Sequence, residues 1–155
     1  MRPGSAARGH TLIAVLVLLA LCMLGLAVVG PMWSQAVRRE REQDLLHIGA
    51  LYAQALTDYR AVSPGSLRQY PLRLQDLLAD ARFVGTVRHL RELHSDPVNP
   101  GKPWGLERDS EGRIIGIFSL SREAPVAERA HELGVTRLAP ARHYSDWKFT
   151  VKAQP

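Results

Sequence analysis

The chain has 155 residues and a formal net charge of +5, which leaves room for one small domain plus an anchor but excludes two full domains. Arginine supplies nearly all of the positive charge, since the lysines are Lys102, Lys148 and Lys152. No run reaches the five or six like charges of a basic tail, so arginines scattered over solvated surface account for the balance, and nucleic acid is not expected as a partner.

The first nine residues, Met1 to Gly9, are short and basic, with Arg2 and Arg8 among small residues. From Thr11 to Trp33 the 23 residues carry no charge, and as a helix they span about 34 Å at 1.5 Å per residue. That matches a hydrocarbon core of about 30 Å. An ordinary secretory signal has a shorter apolar region followed by a small-x-small site, whereas this run ends at Gly30-Pro31. A lipoprotein signal needs a small residue before its cysteine, and here Leu21 precedes Cys22. A buried core helix would have to be covered on all sides, which a chain of this size can hardly do. The segment is therefore expected to be a membrane anchor. Cys22, alone within it, is read as a small apolar residue and says nothing about an oxidising compartment. Arg2 and Arg8 on one side nearly balance Arg38, Arg39 and Arg41 on the other, so charge leaves the orientation open.

Arg8-Gly9-His10-Thr11-Leu12-Ile13 and the apolar run after it resemble the leader and processing site of type IV pilin-like proteins, most of all the pseudopilins of type II secretion. The resemblance implies cleavage by a prepilin peptidase between Gly9 and His10, on the cytoplasmic side. It implies that Pro31 is the proline that kinks the family's helix, and that Thr11, Leu12, Ile13 and Ala14 open the helix through which subunits assemble. It supplies an orientation as well: a single pass through the bacterial inner membrane, N-terminus cytoplasmic and domain periplasmic. Implied partners are other pseudopilins, the prepilin peptidase and an inner-membrane assembly platform. Two positions depart from the pattern. His10 stands where the family has Phe or Met, and Ala14 where it has a Glu thought to pair with a neighbour's amino terminus.

Beyond Pro31, Leu45, Ile48, Tyr52, Ala55, Leu56 and Tyr59 recur at spacings of three and four, the stripe of an amphipathic helix. Arg38, Arg41, Glu42 and Asp58 are expected on its solvated face, with Arg38 and Glu42 at i, i+4. Ser63-Pro64-Gly65 should end the helix near Ala61. Tyr70-Pro71, then Leu74, Leu77 and Leu78, reads as a turn into a short amphipathic helix, and a second short helix is predicted over Thr86 to His94 with Thr86 as cap. Trp104–Glu107 and Arg113–Phe118 are predicted strands around a turn at Asp109-Ser110-Glu111-Gly112. Trp147–Val151 alternates as a closing strand, and Pro125 and Gly134 bracket a predicted short helix in the connection from Ser119 to Ser145.

The expected fold is α+β and, by the resemblance, pilin-like: a long N-terminal helix packed on a small antiparallel sheet. The expected organisation is a leader at 1–9, an apolar helix at 10–33, its amphipathic continuation at 34–61 and a globular domain at 62–155. No catalytic motif is found. Asn99-Pro100-Gly101-Lys102-Pro103 lacks the rest of a phosphate loop, and Ser121 and Ser145 lack the context of a nucleophile. His89, His94 and Asp96 do not have zinc spacing. Some major pseudopilins bind calcium in a C-terminal loop, but no cluster of acids lies between Ser119 and Asp146. Neither an enzyme nor a cofactor is expected. A filament subunit for protein secretion is the leading expectation. The alternative is a minor pilin for adhesion, motility or DNA uptake, with Arg82, Arg88 and Arg91 as a modest basic patch; a tethered enzyme has no residue in its favour.

Overall fold

The computed structural model describes residues 6–65, 68–127, 130–134 and 136–151, with the side chains of 6–9 and 24–32 outside that description. The chain is α+β and divides into two compact units, Met1–Arg39 and Glu40–Pro155. Helix α1 runs over Ala6–Ala61. Its first residue lies before the expected processing junction, and the helix assignment passes through Pro31. Among the described residues no helix is long and apolar enough to cross a membrane. The apolar run read from the sequence passes through 24–32, whose side chains are outside those residues.

The helix stops where the breaker predicts. Ser63 folds back through its amide to Arg60 O at 3.3 Å, and Gly65 takes φ +80°, a conformation that suits glycine. Leu74–Leu77 forms a single 3-10 turn rather than an α-helix. The residue before it, Arg73, donates its amide to the Asp76 carboxylate at 3.0 Å, a capping arrangement.

Three strands, β1 (Gly105–Arg108), β2 (Ile114–Phe118) and β5 (Lys148–Thr150), form an antiparallel sheet in the order β1-β2-β5. The β1–β2 turn is built on Asp109, whose carboxylate accepts the amides of Glu111 and Arg113, both at 2.9 Å. Gly112 closes it at φ +76°. The predicted strands thus form in place, each end within one residue of its expected position.

Among the described residues two predicted helices are absent. Thr86–His94 is irregular, because its backbone bonds elsewhere: the amides of His89 and Leu90 both donate to Leu77 O at 2.9 Å, and Val87 O accepts Asp80 N at 2.9 Å. Thr86 therefore caps nothing. Between Pro125 and Gly134 there is also no helix among the described residues. His131–Leu133 is strand β3, paired antiparallel with β4 (Thr136–Leu138). Gly134, at φ +53°, sits in the hairpin turn, where positive φ matches the twist of the flanking strands. The Thr136 hydroxyl donates to Thr150 O at 2.8 Å and ties this hairpin to β5.

In the second unit the core gathers the helix stripe Leu45, Tyr52, Ala55, Leu56 and Tyr59 with Ile114, Ile117 and Phe149 of the sheet. Leu46, Leu77, Leu90, Leu138, Tyr144 and Trp147 join them. Each fully buried Leu, Ile or Phe contributes about 1.5–3 kcal/mol. Gly49 lets helix and sheet approach closely: a Cβ there would run into the Phe149 ring.

Candidate functional site

The residues expected to carry function lie along the start of α1. Gly9 is helical in backbone, with its Cα surroundings outside the described set. His10, Thr11, Leu12, Ile13 and Ala14 follow on the same helix, all exposed. Pro31 is within the helix, and its side chain lies outside the described residues, as does any kink it makes. From His10 to Met23 every residue is exposed whichever way it faces. Leu12 and Leu18 retain 63% and 61% of their surface, so no side of the rod is covered by this chain. A helix apolar all round belongs in a core or in lipid, not in water.

The polar interior of the second unit was not foreseen. Glu42, expected on a solvated face, is buried. Its Oε2 accepts Val126 N–H at 2.6 Å and the Tyr144 hydroxyl at 2.8 Å, and its Oε1 accepts Ala127 N–H at 3.0 Å. This corrects the face assignment. The signal was present, since Glu42 stands three and four residues before the buried Leu45 and Leu46. Burial, followed by the Glu42 hydrogen bond and charge, pushes the Tyr144 phenol well above its ordinary value.

Asp80, also buried, is gripped by Arg82, whose Nε reaches Oδ1 at 2.8 Å and whose Nη2 reaches Oδ2 at 2.6 Å. The same guanidinium donates to Tyr59 O at 2.9 Å and Ser63 Oγ at 2.6 Å, capping the carbonyl end of α1. It lies 3.6 Å from the centroid of the Tyr59 ring. His89 Nε2 approaches Asp80 Oδ2 at 3.1 Å; an ionised carboxylate only accepts, so this nitrogen carries the proton. The Arg82 hydrogen bonds hold the Asp80 carboxyl down at about 2, against the opposing effect of burial.

Asp96 is the third buried acid. Its Oδ1 accepts Val98 N–H at 2.9 Å and Asn99 N–H at 3.2 Å, and its Oδ2 accepts the Ser119 hydroxyl at 2.6 Å. Ser119 Oγ in turn accepts Ser121 N–H at 3.1 Å. Asp80 Oδ1 also accepts Arg82 N–H at 3.1 Å, so each of the three acids serves as an acceptor for backbone donors of a segment without regular structure.

These contacts redistribute the residues considered from sequence. Arg82 is committed to Asp80, which leaves Arg88 and Arg91 of the anticipated basic patch. His89 pairs with Asp80, while His94 lies 3.5 Å from Glu92, so the two imidazoles serve different neighbours. Ser145 N donates to Ser121 O at 3.0 Å, a backbone fastening. Among the described residues no group of three or more His, Cys, Asp or Glu is placed to hold a metal. No protein-family model, curated protein or solved structure matches this chain.

Proposed function

We propose that the chain is a pseudopilin-like subunit: a single-pass protein of the bacterial inner membrane, N-terminus cytoplasmic, with a pilin-like periplasmic domain. It joins other pseudopilins in a short filament serving type II secretion. One observation carries the reading: the rod from Leu12 to Met23 is apolar and exposed on every side. Such a surface is satisfied by hydrocarbon or by neighbouring rods of the same kind, and a helix meets its own backbone hydrogen bonds in both settings. That stretch is about 18 Å long at 1.5 Å per residue, and the sequence stays uncharged to Trp33.

In this reading the prepilin peptidase removes residues 1–9, the assembly platform receives the processed helix, and Ala14 leaves the membrane-embedded helix without a carboxylate. A buried carboxylate needs a paired cation, so insertion of this chain is easier and its pairing with a neighbour's new amino group is lost. The domain acts as a structural subunit and not as an enzyme.

N-terminal sequencing of the native protein, combined with membrane fractionation, tests the proposal. A start at His10 in the inner-membrane fraction, with crosslinks to other pseudopilins, is the expected result. A start beyond Trp33, or recovery with soluble periplasmic contents, overturns it.

A further inference from the structure

The apolar run of the first unit ends in an aromatic residue and then in charge. Trp33 keeps 72% of its surface, and Arg38 and Arg39 are exposed as well. All three stand on α1 and within Met1–Arg39. Ser34, Gln35, Ala36 and Val37 between them are uncharged, and the first acid, Glu40, comes only after both arginines.

The placement of these residues around and along the helix selects an occupant. At about 100° per residue, Arg38 lies about 140° around the helix from Trp33, and Arg39 about 120° from it on the other side. No flat face of a partner protein reaches all three, whereas a medium that surrounds the rod does. Along the axis Arg38 and Arg39 stand about 7.5 and 9 Å beyond Trp33, and a lipid headgroup layer is about 5–8 Å deep. An indole at the hydrocarbon edge therefore leaves both guanidinium groups at the outer side of that layer, within a side chain's reach of phosphates. Tryptophan favours this edge because its ring is apolar and its N–H polar. Guanidinium offers paired donors that match phosphate oxygens, and each basic side chain near an anionic membrane surface favours contact about fivefold.

We infer that Trp33, Arg38 and Arg39 form a collar that binds anionic phospholipid headgroups, which fixes the depth of α1 and enriches such lipids around it. A subunit drawn from the membrane into a filament has to give up these headgroup contacts. The inference rests on the membrane reading of the rod, and the experiment separates the two.

The full chain is reconstituted in phosphatidylcholine vesicles that contain a minor fraction of brominated phosphatidylglycerol or, in parallel, of brominated phosphatidylcholine. The bromines sit near the carboxyl end of the acyl chains, and the readout is tryptophan quenching in the native chain minus that in Trp33→Phe. The expected result is quenching of Trp33 about twofold or more stronger with the anionic lipid. That preference should vanish in about 1 M salt, where charges are screened beyond about 3 Å, and in the Arg38→Gln/Arg39→Gln variant. The lipid and salt comparisons use the native chain, so they do not depend on how the variant folds. Equal quenching of Trp33 by the two lipids at low salt, or a preference kept in the variant, overturns the inference alone. So does stronger quenching of Trp33 by bromines at the chain ends than by those near the carboxyl group. Absence of quenching by either lipid overturns the membrane reading together with it.

Discussion

Tyr144 donates its hydroxyl to Glu42 at 2.8 Å across 102 positions of the chain, and with the amides of Val126 and Ala127 it gives the buried carboxylate three donors. The 119–127 segment has no strand or helix of its own among the described residues, so this acid is what holds its far end to α1. Glu42→Ala should leave those donors unpaired and destabilise the domain by about 2–4 kcal/mol. Tyr144→Phe removes one bond and should cost about 1–2 kcal/mol. The double variant should lose less than the sum, because the two residues share one network. Thermal unfolding of the full chain in micelles checks all three.

Asp80 sets the acid limit. Its carboxyl titrates at about 2 in the folded state against a usual 3.8. A depressed folded value contributes stability that is fully present above the unfolded value and is lost as pH falls through the folded one. Stability should therefore drop between about pH 4 and pH 2, and the drop should shrink in Asp80→Asn. If that variant does not fold, the carbonyl carbon shift of Asp80 in the native chain, titrated by NMR, should still inflect well below the ordinary range.

Gly49→Ala should destabilise by about 1–3 kcal/mol, because the new methyl would enter the Phe149 ring and the backbone on both sides is held. Combining it with Phe149→Leu should recover part of the loss, measured as unfolding midpoints. A Gly49→Ala variant as stable as the parent would contradict the described approach of helix and sheet.

Arg82→Lys keeps the charge but loses the fork that reaches Asp80, Tyr59 O and Ser63 together. It should loosen the end of α1, and faster amide exchange at Val62 and Ser63, whose amides return to Asp58 O and Arg60 O, is the measurement. Protection unchanged from the parent would count against the capping role.

Much of the architecture could be read from residue spacing. The stripe from Leu45 to Tyr59 and the breaker after Ala61 depend on neighbours three or four positions away, and the Asp109–Gly112 turn is local in its hydrogen bonds. The failures were long-range. Val87, Leu90 and Leu93 have helical spacing, but the amides around them are claimed by Leu77, and spacing cannot reveal that competition. The β3–β4 hairpin had a usable signal in its alternating residues around Gly134. Glu42 was misplaced because a charge was assumed to face water; its donors come from 84 to 102 residues downstream. At the start of α1, the reading of Gly9, His10 and Ala14 rests on sequence alone.

The span between Glu42 and Tyr144 also has a consequence for synthesis. At about 5–20 residues per second, a ribosome needs roughly 5–20 s to make the chain between acceptor and hydroxyl. Phe149 and Trp147, which cover Gly49 and the stripe beside it, emerge later still. Throughout that interval the nascent helix shows an oily flank with no finished surface of its own to lie on. Domain closure can therefore only follow polymerisation of nearly the whole chain, so passage through a translocation channel before folding would meet no compact obstacle.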